Sequence, residues 1–75
     1  MLSFQYIKER DTIQVHCDHE GMASLLGMLA QLIRDPAHVH LTLMDVLSDK
    51  DPFGQPACSE VIIDYSPDYD TEAAD

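Results

Sequence analysis

Hydrophobic and polar positions repeat with a helical period between residues 21 and 34. In this stretch, GMASLLGMLAQLIR, large apolar side chains recur at intervals of three and four residues. That spacing places them on one face of a helix, and the set is Met22, Leu25, Leu26, Leu29, Leu32 and Ile33. Asp18 is a good N-cap, and Pro36 disfavours helical geometry before it. The pattern therefore predicts one substantial helix that ends at Arg34 or Asp35.

Alternation of apolar and polar residues predicts four short strands around this helix. Leu2–Ile7 and Thr12–Cys17 flank a charged connection at residues 8–11, which suits a hairpin. Residues 37–44 and 60–65 alternate after the helix. On strands two to four the predicted inward set is Ile13, Val15, Cys17, Val39, Leu41, Leu43, Val61, Ile63 and Tyr65.

The resulting order, β-β-α-β-β, predicts an α+β domain of two layers over residues 1–66. We expect a four-stranded sheet with the helix packed on one face, so that the apolar stripe of the helix and the inward strand residues close a single core. The opposite sheet face has no second helix to cover it, so we expect it to meet water or another chain; it contains Gln14, His16, His38, His40, Thr42 and Ile62. Residues 67–75 are acidic and lack an apolar pattern, so we expect a disordered tail.

Charge narrows the choice of partner because it is strongly unbalanced. The 75 residues include 4 basic and 14 acidic side chains, a net charge of −10. Nucleic acids and anionic membranes attract clusters of Lys and Arg, so we expect neither as a partner. The acidity favours a basic partner or a solvated surface. The sequence shows no membrane-span pattern and no signal-peptide pattern, so we expect a cytoplasmic location.

The long connection at residues 45–59, DVLSDKDPFGQPACS, is the first candidate for function. It places Asp45, Asp49 and Asp51 around Phe53, and an aromatic anchor ringed by carboxylates suits docking of a basic protein. The alternative is that Phe53 packs over the sheet edge. Its D-x-x-x-D-x-D pattern lacks the Gly and terminal Glu of an EF-hand, so we do not expect calcium.

Histidines are the candidate metal ligands. His38 and His40 are two residues apart on a predicted strand and share a face, and His16 would join them if strands two and three were neighbours. Three imidazoles on one face suit Zn²⁺. Exposed strand histidines without a metal fit the same pattern, and we predict no metal site and no cofactor.

Catalysis is not predicted by the sequence. Cys17 is expected in the core, and Cys58 lies in a loop with no sign of a positioned base. The chain has no phosphate-binding loop and no dinucleotide fingerprint. We therefore predict a binding protein rather than an enzyme.

Three segments carry a family resemblance: IQVHCDHEGMASLLGMLAQLI, HVHLTLMD and SEVIIDY. With the EG-x-x-x-L-x-x-x-L helix and the H-x-H-L strand, the chain resembles the bacterial immunity proteins of polymorphic toxin systems over about residues 12–65. In particular it is similar to the Immunity protein 32 family. The resemblance implies a cytosolic antitoxin that binds a cognate toxin domain and blocks it, and it implies no particular interface residue.

We therefore predict that the chain neutralises a toxin domain with a basic surface by protein–protein contact. The predicted contact residues are Asp45, Asp49, Asp51, Phe53, Glu60, Asp64, His38 and His40. Two alternatives remain open. One is a homodimeric structural or interaction module that pairs through the open sheet face or an edge strand. The other is a metal- or small-ligand-binding domain that uses His16, His38 and His40.

Overall fold

A computed structural model describes residues 1–69 of the chain. The elements in chain order are β1 (Leu2–Ile7), a 3-10 turn (Lys8–Arg10), β2 (Thr12–Cys17), α1 (His19–Arg34), β3 (His38–Thr42) and β4 (Glu60–Asp64). The α+β class and the β-β-α-β-β order are confirmed. The strands before the helix have the predicted bounds, whereas β3 and β4 are shorter than predicted. Of the predicted disordered tail, residues 70–75 lie outside the described part.

The strands form two antiparallel pairs instead of the continuous four-stranded sheet that we expected. The registers run from Leu2↔Cys17 to Ile7↔Thr12 in the β1–β2 pair and from His38↔Asp64 to Thr42↔Glu60 in the β3–β4 pair. The long connection between β3 and β4 forms hydrogen bonds along the other edge of β1. The amide of Ser48 donates to Leu2 O at 2.8 Å, and the amide of Cys58 donates to Phe4 O at 2.7 Å. Because these carbonyls already have donors, no further strand pairs with β1 there.

A small apolar core lies between α1 and the two sheets. Leu2 and Leu41 are fully buried, and Leu47 of the long connection is 6% exposed. Around them pack the partly buried side chains Phe4, Cys17, Leu25, Met28, Val39, Val46, Val61 and Ile63. Since Leu47 belongs to this core, the connection is part of the fold and its two ends are held in place. So small a core leaves little stability in reserve.

Only part of the predicted apolar face of α1 points into this core. Leu25 and Leu32 do so, together with Met28, which the predicted stripe omitted. The other four predicted core residues are exposed, so their assignment to the core was wrong: Met22 is 55%, Leu26 66%, Leu29 38% and Ile33 69% exposed.

Gly21 explains how α1 is oriented on the sheets. A Cβ built on Gly21 would lie 1.9 Å from Met1 O and 3.3 Å from Cys17 Cβ. The first turn of α1 therefore rests directly on the start of β1, and only a glycine allows that approach. The side of the helix that carries Gly21 must face inward, which turns the opposite apolar side to solvent.

Several predicted inward positions on the strands also lie outside the core. Val15 is 42% exposed and Ile13 is 70% exposed, although both lie on the same side of β2 as Cys17. Helix α1 begins directly after β2, so it covers the Cys17 end of the first strand pair and leaves the other end bare. Leu43 and Tyr65, just beyond the ends of β3 and β4, are 45% and 37% exposed.

Candidate partner-binding surface

The outward side of the β3–β4 pair brings together four of the eight residues predicted to contact a partner. Successive side chains of a strand point to opposite faces, and Val39, Leu41, Val61 and Ile63 occupy the inward one. The outward one carries His38, His40, Glu60, Ile62 and Asp64, which we name the histidine–carboxylate face. The register sets His38 opposite Asp64 and His40 opposite Ile62.

The side chains of this face are in contact and open to solvent. The rings of His38 and His40 meet edge to face, with centroids 5.0 Å apart and planes at 71°. His40 Nδ1 lies 3.2 Å from Glu60 Oε2, and the two side chains are 49% and 54% exposed. So exposed a pair adds little to stability. Its carboxylate is instead accessible to a cationic group of a partner.

Ile62 and Asp64 complete the face. Ile62 is 54% exposed and opposes His40 across the strand pair, so it offers an apolar contact among polar groups. The Asp64 carboxylate raises the pKa of the nearby Tyr69 phenol, through hydrogen bonding first and burial and charge second. The face thus combines two carboxylates, two imidazoles and one aliphatic side chain.

Asp45 lies in the turn that ends β3, and its carboxylate already supports that turn. It accepts hydrogen bonds from the amide of Thr42, at 3.1 Å, and from the amide of Val46. The bond to Val46 first, and then the bond to Thr42, lowers the pKa of Asp45. The residue is exposed, so it contributes negative charge to the surface while it stabilises the turn.

Asp51 holds the tip of the long connection together. The residue is 8% exposed, and its Oδ1 accepts from the amides of Phe53 and Gln55 at 2.9 and 2.8 Å. The turn closes at Gly54, whose φ of 82° favours glycine. We predicted that Asp51 contacts a partner, but a carboxylate buried on two backbone amides is structural. Asp51 is therefore left out of the surface proposed below.

The same turn presents Phe53 to solvent. The side chain is 80% exposed, and its ring meets the ring of His16 edge-on with centroids 6.2 Å apart. Asp49 is exposed at the base of the turn, where its carbonyl accepts from the amide of Ala57 at 2.9 Å. We name Asp49 and Phe53 the loop tip. Phe53 touches the first strand pair and still leaves most of its ring available to a partner.

The connection also covers the outward side of the β1–β2 pair, which we expected to be open. Ser3 is fully buried there, and Gln5 Nε2 donates to Pro56 O at 3.3 Å. The predicted open face is thus divided: the connection packs on the first pair, and only the second pair stays bare. Within residues 1–69, no hydrogen bond, ion pair or ring contact links the loop tip to the histidine–carboxylate face.

The structure does not assemble the three-histidine site of the metal alternative. That site needed β2 beside β3, but the two strands belong to different sheets. His16 packs against Phe53, whereas His38 and His40 lie on the other strand pair. In the described part of the chain, no group of three or more His, Cys, Asp or Glu side chains is placed to hold a metal ion.

Sequence reasoning missed an open groove between α1 and β3. Its volume is about 540 Å³, and Ser24, Gly27 and Gln31 of the helix lie across it from Val39 and His40. Small residues on this side of α1 leave the space. Their occurrence at positions 23, 24 and 27 was the available signal.

Comparisons with protein-family models, with curated proteins and with solved structures found no match to this chain. Across residues 1–69, no helix has both the length and the apolarity that a membrane crossing requires. A function for the chain has to follow from its surface chemistry and from the sequence patterns described above.

Proposed function

We propose that the chain is a cytoplasmic immunity protein, which binds a cognate bacterial toxin domain and blocks it by protein–protein contact. The observation that carries the proposal is the histidine–carboxylate face, which sets Glu60 and Asp64 around the exposed Ile62 on a bare sheet surface. The resemblance of the sequence to the Immunity protein 32 family supports the same role.

The chemistry of this face suits a basic partner. Glu60 and Asp64 accept charge-assisted hydrogen bonds from Lys or Arg side chains, and Ile62 provides an apolar contact between them. A net charge of −10 steers a basic toxin surface toward the chain and raises the association rate. The strands hold these side chains in a defined register, so little ordering is needed on binding.

The loop tip is proposed as a second contact. Exposed aromatic side chains are frequent energetic anchors of interfaces, and Phe53 is 80% exposed. Asp49 adds a carboxylate beside it. Two hydrogen bonds to Asp51 hold the tip. The amides of Ser48 and Cys58 also donate to carbonyls of β1, so the connection presents Phe53 from a fixed position.

Identification of the partner begins with affinity capture from the source cells and mass spectrometry of the eluate. The tag belongs at the C-terminus, because the α-ammonium of Met1 pairs with the Asp18 carboxylate. We expect one specific larger protein that carries a toxin-like domain. Inhibition of that domain's activity by the purified chain is the direct test of the proposed function.

Charge reversal then tests the proposed surface. We expect Glu60→Lys to weaken affinity for the captured toxin about 10- to 100-fold, mainly through slower association, because it replaces attraction with repulsion. Glu9→Lys makes the same charge change in the turn between β1 and β2 and should alter affinity less than about threefold. Stopped-flow or surface plasmon resonance at two salt concentrations measures both. Equal effects of the two variants contradict the assignment of this face.

A further inference from the structure

The edge of β3 that faces away from β4 presents backbone groups to the open groove beside α1. The amide of Tyr65 donates to Ala37 O at 2.9 Å. In the antiparallel register these two residues are directly opposed, so the hydrogen-bonded pairs continue at every second residue from Ala37. The N–H and C=O groups of His38, His40 and Thr42 therefore point to the free edge. Those of Thr42 are used by the turn after β3, whereas in the described part of the chain no hydrogen bond reaches those of His38 and His40.

The groove between α1 and β3, which we name the edge groove, follows this edge for most of its length. A second cavity of about 220 Å³ adjoins the larger one, and the two share the lining residues Met28, Gln31 and Val39. The larger cavity reaches His40 and the smaller one reaches His38. The next strand of a sheet runs about 4.8 Å from its neighbour. The edge groove is therefore open where a strand added to β3 would lie.

We propose that an extended basic segment of the toxin domain adds to the free edge of β3 as a third strand and lies in the edge groove. This inference rests on the proposed function for the identity of the partner. Strand addition supplies the donors and acceptors that the backbones of His38 and His40 need, and it is a common way for an exposed sheet edge to bind a peptide. The outer edge of β1 differs, because the amides of Ser48 and Cys58 already donate to it.

Charge at both ends of the edge groove favours a basic occupant. Asp45 lines the groove just after β3, and Asp35 lines it just before β3; both residues are exposed. Among the described residues that line the groove, none is Lys or Arg. A second copy of β3 on this edge would bring the carboxylates of both chains together, in addition to a net charge of −10 on each chain. A segment that carries Lys or Arg is attracted to the edge that repels a second copy.

The two sides of the added strand meet different surroundings. Successive side chains of a strand point to opposite faces. On the inward side they enter the edge groove against Ser24 and Gly27, which leaves room for small apolar side chains. On the outward side they extend the histidine–carboxylate face beside His38 and His40. The segment is therefore expected to alternate basic residues, which face outward, with small apolar residues, which face α1.

A synthetic peptide tests the edge without the toxin. The probe is a short peptide of alternating Lys and Val with blocked ends, titrated into the isotope-labelled full chain and followed by nuclear magnetic resonance. We expect a dissociation constant below about 1 mM. In the bound chain the amides of His38 and His40 should exchange with solvent at least about tenfold more slowly. The amide of Val39 already pairs with β4, so its exchange rate should change much less.

Control peptides separate strand pairing from charge attraction. N-methylation of the peptide backbone removes its donors and keeps its charge, so it should weaken binding more than about tenfold. Replacement of every Lys by Glu should abolish binding at the same concentrations, because the ends of the edge groove are acidic. An N-methylated peptide that binds as well as the probe overturns the proposed strand pairing.

Two variants of α1 test the edge groove itself. A Cβ on Gly27 would meet nothing within 4 Å, so Gly27→Phe places a ring in the groove and should weaken binding of the probe about tenfold or more. Ala30→Phe adds the same ring to the same helix outside the groove lining and should change binding less than about threefold. Circular dichroism should show that both variants fold, because both positions are exposed. Equal effects of the two variants overturn the proposed place of the strand.

The outcome at the edge is distinguishable from the outcome for the proposed function. Unprotected amides of His38 and His40, with the probe or in the complex with the captured toxin, overturn this inference, while inhibition of that toxin still supports the proposed function. A chain that binds the probe at the edge and inhibits no toxin domain overturns the proposed function instead. Protection of the same amides when only the concentration of the chain is raised assigns the edge to a second copy and overturns the basic segment.

Discussion

The two sides of α1 contain similar apolar residues and have opposite environments. On the inward side Leu32 is 6% exposed, whereas one residue further along the chain Ile33 is 69% exposed. Hydrophobicity does not distinguish these positions, since both belong to the same helical repeat. The close contact of Gly21 with Met1 and Cys17 does distinguish them, because it sets the rotation of the helix on the sheets. One small residue thus decides which apolar side of α1 forms the core and which stays exposed to solvent.

The start of α1 supports the same orientation through hydrogen bonds. Asp18 is the N-cap, and its Oδ1 accepts from the amide of Gly21 at 2.9 Å and pairs with the α-ammonium of Met1. The amide of Asp18 donates in turn to Met1 O. The first turn of the helix is therefore joined to the first residue of the chain by packing and by charge.

The largest expected effect is that of Gly21→Ala. The added Cβ cannot remain 1.9 Å from a backbone oxygen, so the helix has to move away from β1. We expect a loss of about 3 kcal/mol or more in the free energy of unfolding, measured by urea denaturation.

Gly27→Ala is the matched control for that substitution. Its Cβ meets nothing within 4 Å, so it should stabilise the monomer by about 1 kcal/mol through helix propensity. Two glycine variants of equal stability would show that Gly21 does not set the orientation of α1.

An intermediate effect is expected when leucines of the two sides are truncated. Leu32→Ala removes a buried side chain and should destabilise the chain by about 2–4 kcal/mol. Leu26→Ala removes an exposed one and should cost less than about 0.5 kcal/mol. Thermal denaturation of both variants at low micromolar concentration measures the difference. Similar losses would mean that the two sides are equally buried.

The smallest expected effect is the pH dependence of the stability that the Asp18 carboxylate contributes at the start of α1. The Met1 ammonium first, and then the amide of Gly21, lowers the pKa of Asp18. A carboxyl whose pKa is lowered by folding stabilises the native state above its unfolded pKa of about 3.9, and this contribution disappears as pH falls through the folded pKa. Asp18→Asn keeps a capping oxygen and removes the titration. The stability difference between the wild type and this variant should therefore narrow below about pH 4. Urea midpoints at pH 7, 4 and 3 measure it, and a difference that does not change with pH contradicts the assigned role of the Asp18 charge.

On the candidate surface, some features follow from neighbouring residues in the sequence, whereas others depend on how the chain folds. Alternation along β3 was sufficient to predict that His38 and His40 share a face. The pairing of β3 with β4, which brings Glu60 and Asp64 beside them, was not predicted. The burial of Asp51 was not predictable, because a D-x-x-x-D-x-D segment does not reveal which carboxylate turns inward. Asp51 does so because the turn at Gly54 directs the amides of Phe53 and Gln55 toward it.

The sequence by itself determined the order and nature of the elements, the N-cap at Asp18 and the acidic character of the chain. These properties depend on neighbours within a few residues, such as alternation in a strand or a carboxylate next to the first helical turn. Only the tertiary structure decided that the strands form two pairs, that the connection closes the edge of β1 and that four of the seven large apolar residues of α1 face solvent. Those outcomes depend on contacts between residues far apart in the chain, from Met1 to Gly21 and from Leu2 to Ser48, which no local pattern encodes.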